Sequence, residues 1–270
     1  MTARFSSLRN ISFASGLLLA SAPSLIAAGP MPVAVSAFNA YSDAVETRLK
    51  QQHRSQAGFL ASASAGSRPE QRLHQGESVL EQLTPSGGIS LPGALLHHWR
   101  GTAFVRGATA EQLEKLLEDF GGYPQRFAPQ VLEARVLAGT GDHVQVSMRV
   151  SQRHVVTVVM DSTYEVSFGR LDRQHGYSRS ASTKIAEIDS PGTRNEHVLT
   201  AEQEHGFLWR QNTYWSYEEQ DGGLYMQIES ISLTRSIPTG LGWAVRPFVE
   251  SVPRDSLEFT LRSVCNALHK

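Results

Sequence analysis

The sequence predicts an α+β fold: a curved antiparallel sheet of about seven strands wrapped on one long C-terminal helix, with a helical extension at the N terminus. Three observations predict it. From residue 97 onward, alternating apolar and polar segments follow one another across short turns. A single amphipathic pattern closes the chain. Between residues 57 and 92 large apolar side chains thin out, which sets the sheet apart from an earlier helical stripe.

The first 28 residues have the three-part layout of a secretory signal. Arg4 and Arg9 form a positive start without an acidic residue, and Ile11 to Ala22 is an apolar and small-residue run. That run is shorter than the ~20 residues a bilayer span needs. Cleavage after Ala28 or after Ala37 both fit the small-residue pattern. A lipid anchor would need a cysteine just after cleavage, and the only cysteine is Cys265. The expected product is therefore soluble and periplasmic or secreted, without a transmembrane segment. Removing residues 1–37 moves the formal net charge from −1 to −3, since both lost charges are arginines. So mild a charge argues against general nucleic-acid or anionic-membrane binding. One cysteine makes no internal disulfide, so the fold rests on its core.

In the expected extension, Phe38, Tyr41, Val45 and Leu49 form a narrow apolar stripe on a helix of about four turns. It can pack on its own domain, or recruit a partner or second copy. Residues 57–92, rich in Ala, Ser, Gly and Pro, read as a flexible linker with a short helix near Glu77–Leu83. Residues 38–96 are thus helix and linker, and 97–270 the main domain.

His98 to Val105 reads as the first strand. Thr109-Ala-Glu-Gln112 has the form of a capping box, followed by Leu113, Leu116, Leu117 and Phe120 on one helical face and Gly121-Gly122 as its end. The strands Val131–Ala138, Val144–Ser151, Val155–Phe168 and Tyr177–Ile188 come next. Val144, Val146, Met148 and Val150 alternate with polar residues. Val156, Val158, Met160, Tyr164, Val166 and Phe168 share one face of the next strand, with Ser162 its polar member. Gly206–Tyr217 and Leu224–Arg235 form a hairpin across Gln220-Asp-Gly-Gly223. In the closing helix, Pro247 and Pro253 should kink or divide the segment. Beyond them Leu257, Leu261, Val264, Cys265 and Leu268 present one apolar face. A curved sheet wrapped on a single helix rarely fills, so a cavity between them is expected.

Several segments carry a further resemblance. They are Asp119-Phe120, Tyr123 and Phe127-Ala-Pro-Gln-Val131 at the helix-to-strand junction, and the Asp221-Gly-Gly223 hairpin. Arg235-Ser-Ile-Pro238, leading to Pro253-Arg-Asp-Ser-Leu257, completes them. With the element order, residues 97–270 resemble the START/polyketide-cyclase (SRPBCC) superfamily and its helix-grip fold, in an exported branch. The resemblance implies a cavity for a lipid, sterol-like or polyketide-like molecule, and implies nothing for residues 38–96.

Chemistry is thinly marked. There is no Gly-rich phosphate loop, no zinc-type helix motif and no Gly-x-Ser-x-Gly elbow. Adjacent His97 and His98 point to opposite faces of a strand, His197 and His205 are separated by a loop, and His53 and His74 lie in the extension, so no metal is expected. No cofactor is expected either. Cys265 reads as a small core residue. Glu229 and Arg235 share one strand face with Tyr225, Gln227, Ile231 and Leu233. If that face is concave, Arg235 binds a ligand anion and Glu229 orients it. If it is the solvated face, Met226 and Ile228 point inward instead. Trp209, Tyr214, Trp215, Tyr217 and Tyr225 crowd the hairpin, with Trp243 and Phe248 on the facing helix. They can pack a core or wall a flat or acyl ligand. The candidate ligand-binding set is therefore Met148, Met160, Tyr164, Trp209, Tyr225, Glu229, Arg235, Trp243 and Phe248, with no catalytic residue assigned.

The function expected from this reading is binding or carriage of a hydrophobic small molecule. The alternatives are a cyclase or hydrolase in the same cavity, using Glu229 with Arg235 or Asp161 with a histidine, and an envelope protein acting through the Phe38–Leu49 helix.

Overall fold

A computed structural model describes residues 29–62, 69–153, 157–236 and 242–269, with the backbone alone for 242–250. The element order is α1 (Pro32–Gln52), α2 (Pro69–His74), β1 (Val79–Gln82), β2 (Ile89–Leu91), β3 (Ala94–Arg106), α3 (Ala110–Glu118) and α4 (Tyr123–Arg126). Then follow β4 (Val131–Thr140), β5 (His143–Arg153), β6 (Thr157–Arg170), β7 (His175–Asp189), β8 (His197–Val198), β9 (Arg210–Gln220), β10 (Gly223–Arg235) and α5 (Gly242–Leu268). Every strand pairing is antiparallel, in the order β1-β3-β10-β9-β7-β6-β5-β4, with β2 on β3 and β8 on β7. The result is a helix-grip-like α+β fold, an open curved sheet packed against α5 and carrying α1 as its N-terminal helix.

Local chemistry accounts for the joints. Thr109 accepts the Gln112 amide while the Gln112 side chain accepts the Thr109 amide, so both ends of the capping box are made. At the β9–β10 hairpin, Asp221 and Gly222 both have positive φ, 56° and 71°. A tight turn of that hand matches the twist of the strands it joins.

The sheet has two covered faces. On the inner face, Leu257, Leu261 and Val264 of α5 pack with Ala103, Trp215, Met226 and Ile228, and α3 adds Leu113 and Leu117. On the outer face, Phe38, Val45 and Leu49 of α1 pack against Leu96, Trp209, Ile231 and Leu233. The apolar stripe of α1 is thus covered by the chain's own sheet, with Phe38 only 2% exposed.

Three local expectations need correction. The stretch read as a linker contains α2, β1 and β2, and the residues expected as a helix near Glu77–Leu83 include strand β1. Pairing with β3 over Val79–Gln82 overrides the weak helical preference there. Of the two outcomes expected at Pro247 and Pro253, a kink or a division, division does not occur, because α5 runs through both prolines as one element. Burial of Leu257, Leu261 and Val264 holds it against the ~3 kcal/mol a helical proline costs. Val155 and Val156 lie outside the described residues.

Candidate functional site

The period-2 pleat puts even-numbered residues of β5, β6 and β10 and odd-numbered residues of β9 on the inner face. Beside the α5 core these side chains border a cleft of ≈ 230 Å³. Met148 and Val150 of β5 and Tyr164, Val166 and Phe168 of β6 form one apolar wall. Leu117, Phe120, Tyr123 and Phe127 close one end, and Val252, Leu257 and Phe259 of α5 roof it. Phe207 and Leu208, on the segment entering β9, stand at the other end, and Phe207 is 44% exposed. The remaining wall is polar but uncharged: Ser178 and Ser180 of β7, Gln211 and Thr213 of β9, and Ser230, Ser232 and Thr234 of β10.

Among the described residues no Asp, Glu, Lys, Arg, His or Cys lines this cleft. Its two tyrosines are engaged. The Tyr123 hydroxyl donates to the Leu117 carbonyl at 2.7 Å, and that of Tyr164 to Gln211 Oε1 at 3.2 Å. Burial pushes both phenols above their ordinary pKa. Neither is a base near neutral pH.

The candidate residues divide by face. Met148 and Tyr164 line the cleft. Met160 shares their face but is fully buried beside Leu208 and Ile185. Trp209 and Glu229 lie on the outer face beneath α1. Tyr225 is on that face too, its hydroxyl 2.8 Å from His74 Nε2 and its ring beside Phe104. Arg235 points to neither the cleft nor Glu229, and donates to the His205 carbonyl at 3.4 Å. For Trp243 and Phe248 the side chains lie outside the described residues. Met226 and Ile228 are the inward pair, at 0% and 2% exposure. The opposite face is nevertheless not solvated, because α1 covers it.

Beneath α1 the outer face carries a buried charged cluster. Glu229, 2% exposed, accepts from Arg48 Nη2 at 2.5 Å and His98 Nε2 at 2.9 Å, with Arg100 Nη1 at 3.9 Å. Tyr41 sits 3.1 Å from His98 Nδ1, and Arg100 donates to Glu81 at 2.9 Å. Burial alone would raise the Glu229 carboxyl pKa, but the His98 hydrogen bond, its charge and the Arg48 guanidinium turn the net shift downward. One turn further along, His53 bonds Ser216 Oγ at 2.8 Å and stacks on Tyr177. Burial first, and Arg48 second, lower its pKa to about 4. These groups fasten α1 to the sheet. The pairs considered for catalysis are accordingly away from the cleft: Glu229 is in this cluster, and Asp161 accepts from Arg149 Nε and Nη2 at 2.7 and 2.8 Å.

A second anchor escapes sequence reasoning. Glu187 of β7, 3% exposed, accepts the backbone amides of His205, Gly206 and Phe207 at 2.9–3.0 Å, and lies 2.8 Å from His205 Nδ1. It ties down the segment that carries Phe207 and Leu208 to the mouth of the cleft. The available signal is a carboxylate inside the apolar run Ile185-Ala-Glu-Ile188. Cys265 packs at the edge of the α5 core, where burial raises its thiol pKa to about 11 and keeps it protonated. Among the described residues no three His, Cys, Asp or Glu side chains gather as a metal site. No described helix is long and apolar enough to cross a membrane.

No family model and no curated protein matches the chain. Among solved structures, a STAR-related lipid transfer protein from Xanthomonas axonopodis is 16% identical, with a TM-score of 0.47, covering 71% of this chain and 99% of its own. A Streptomyces aromatase/cyclase is 14% identical, TM-score 0.43, with 64% and 94% covered. A START superfamily protein from Mycobacterium smegmatis is 13% identical, TM-score 0.41, with 64% and 97% covered. These are likenesses of outline at low identity, and the lipid or cyclase chemistry in their names is theirs.

Proposed function

We propose that this chain is an exported binder or carrier of a hydrophobic small molecule, held in the cleft between the inner sheet face and α5. The supporting observation is the cleft itself: apolar walls from β5, β6, α3 and α5 around ≈ 230 Å³, with no charged lining side chain among the described residues. Small-molecule sites have this makeup, mostly apolar with a few placed polar groups, and run from about 300 to 1,000 Å³. A volume at or below that range suits a compact ring system or a short acyl chain better than a two-chain phospholipid. Engagement of both cleft tyrosines and the distance of Glu229 and Asp161 from the cleft favour binding over hydrolysis or cyclisation.

Export belongs to the same proposal, with cleavage after Ala28. In its support, α1 starts at Pro32 and Ala34 is fully buried in the cluster that joins α1 to the sheet. Cleavage after Ala37 would remove that contact. Intact-mass measurement of the protein from the periplasm and the medium tests this part. A mature chain starting at Gly29 supports it, and a chain starting at Phe38 or retained in the cytoplasm overturns it. Native mass spectrometry with solvent extraction of the same material tests the binding. A copurified apolar species, or uptake of an offered one, is the expected result. A folded protein that carries none and takes up none contradicts the reading.

A further inference from the structure

The uncharged polar wall is the least ordinary part of the cleft. Cross-strand pairing makes it continuous: Ser180 lies opposite Thr213, Thr213 opposite Ser230, and Gln211 opposite Ser232. An inner sheet face that only packed a helix would carry apolar side chains here, because a buried hydroxyl is costly unless it is hydrogen-bonded. Part of the wall is satisfied internally. Gln211 accepts from Tyr164, and its amide donates to Ser230 Oγ at 3.4 Å. The end of β10 is not. Ser232 Oγ and Thr234 Oγ1 are buried with no hydrogen-bond partner among the described residues, and Ser232 is only 6% exposed. Both residues line the cleft. A serine exchanges readily between staggered rotamers, so its oxygen can turn toward a bound molecule.

We infer that the ligand is an uncharged, largely apolar molecule bearing a hydroxyl or carbonyl oxygen, and that Ser232 and Thr234, with Ser230 and Gln211 beside them, form the subsite for that oxygen. The inference rests on the binding function proposed above and names its ligand class. A hydroxyl both donates and accepts, so either oxygen type completes the two orphan groups. A carboxylate or phosphate is disfavoured, because no described lining side chain offers a cation and an unpaired buried ion is expensive.

The test uses three probes with one ring system, naphthalene, naphthol and naphthoate, and follows binding by fluorescence and calorimetry. Wild type should bind naphthol about five- to tenfold more tightly than naphthalene, the gain of one neutral hydrogen bond, and naphthoate more weakly than either. In the Ser232→Ala, Thr234→Val double variant the ratio of naphthol to naphthalene affinity should fall to within about twofold. The ligand-free variant should melt no lower than wild type, because the removed hydroxyls have no partner among the described residues to lose. Equal binding of naphthol and naphthalene by wild type, a preference that survives in the variant, or tightest binding of naphthoate overturns the inference and leaves the binding function standing. Absence of binding by all three overturns both.

Discussion

Replacing Glu229 by glutamine isolates the charge that fastens α1 to the sheet. The substitution keeps the volume and one acceptor oxygen, so no cavity confuses the result. It leaves His98 and Arg100, with side chains 2% and 11% exposed, facing a neutral group instead of a carboxylate. Breaking a buried pair costs about 3–5 kcal/mol, and the retained oxygen places this case near the lower figure, about 3 kcal/mol. Arg48 contributes less. Its side chain is 39% exposed, so solvent screens the pair and Arg48→Met should cost about 1 kcal/mol or less. Equilibrium unfolding in urea measures both, with the slope of the transition unchanged. Naphthol affinity of the folded Glu229→Gln protein should stay within about twofold of wild type, because Glu229 lies across the sheet from the cleft. A Glu229→Gln cost below about 1 kcal/mol, or an Arg48→Met cost equal to it, would refute the assignment of the buried carboxylate as the centre of the clasp.

Two further outcomes follow from the same geometry. His53 is held neutral when folded, with its pKa lowered from 6.5 to about 4, so the unfolded chain takes up the proton first as pH falls. Its contribution is fully present above about pH 6.5 and is lost toward pH 4. Discounted for partial exposure, that loss is on the order of 2 kcal/mol, and His53→Gln should flatten the dependence of urea midpoints on pH in that window. An equally steep dependence in the variant would assign it elsewhere. The lowered Glu229 pKa acts in the same direction, but below its unfolded value of 4.5. Glu187→Gln should loosen the segment before β9, with amide hydrogen exchange at His205, Gly206 and Phe207 about thirtyfold faster, the equivalent of ~2 kcal/mol. Unchanged exchange at those amides would mean that Glu187 does not hold the mouth of the cleft.

The inner wall from β5 and β6 is legible in the sequence because each strand keeps one strict alternation. Val144 to Val150 and Val158 to Phe168 sort by parity, and parity alone places Met148 and Tyr164 at the cleft. In β10 the same rule leaves the face open. Leu224, Met226 and Ile228 have one parity, and Ile231 and Leu233 the other, which is the pattern of a strand covered on both sides. What covers its second face is a helix far earlier in the chain, and no local pattern joins Arg48 to Glu229. Two backbone irregularities hide the rest. Trp209 shares the parity of Trp215 yet lies on the outer face, because regular pairing begins only at Arg210. In β7, Ser182 pairs with Tyr164 and Lys184 with Thr163, so Thr183 is an extra residue that turns Glu187 onto the inner side. The serine and threonine wall is visible as composition, but a hydroxyl reads as a cleft-lining group only once its face is known.

The methionine-methyl NMR spectrum during a naphthol titration tests the central claim most directly, because the methionines sample different places. Met148 lines the cleft, while Met31 is 51% exposed at the start of α1, on the outer face. The account predicts a saturable shift of the Met148 methyl at the affinity measured by fluorescence, with Met31 unmoved. A shift of Met31 with Met148 unmoved, or binding that moves neither, would contradict a ligand site between the inner face and α5.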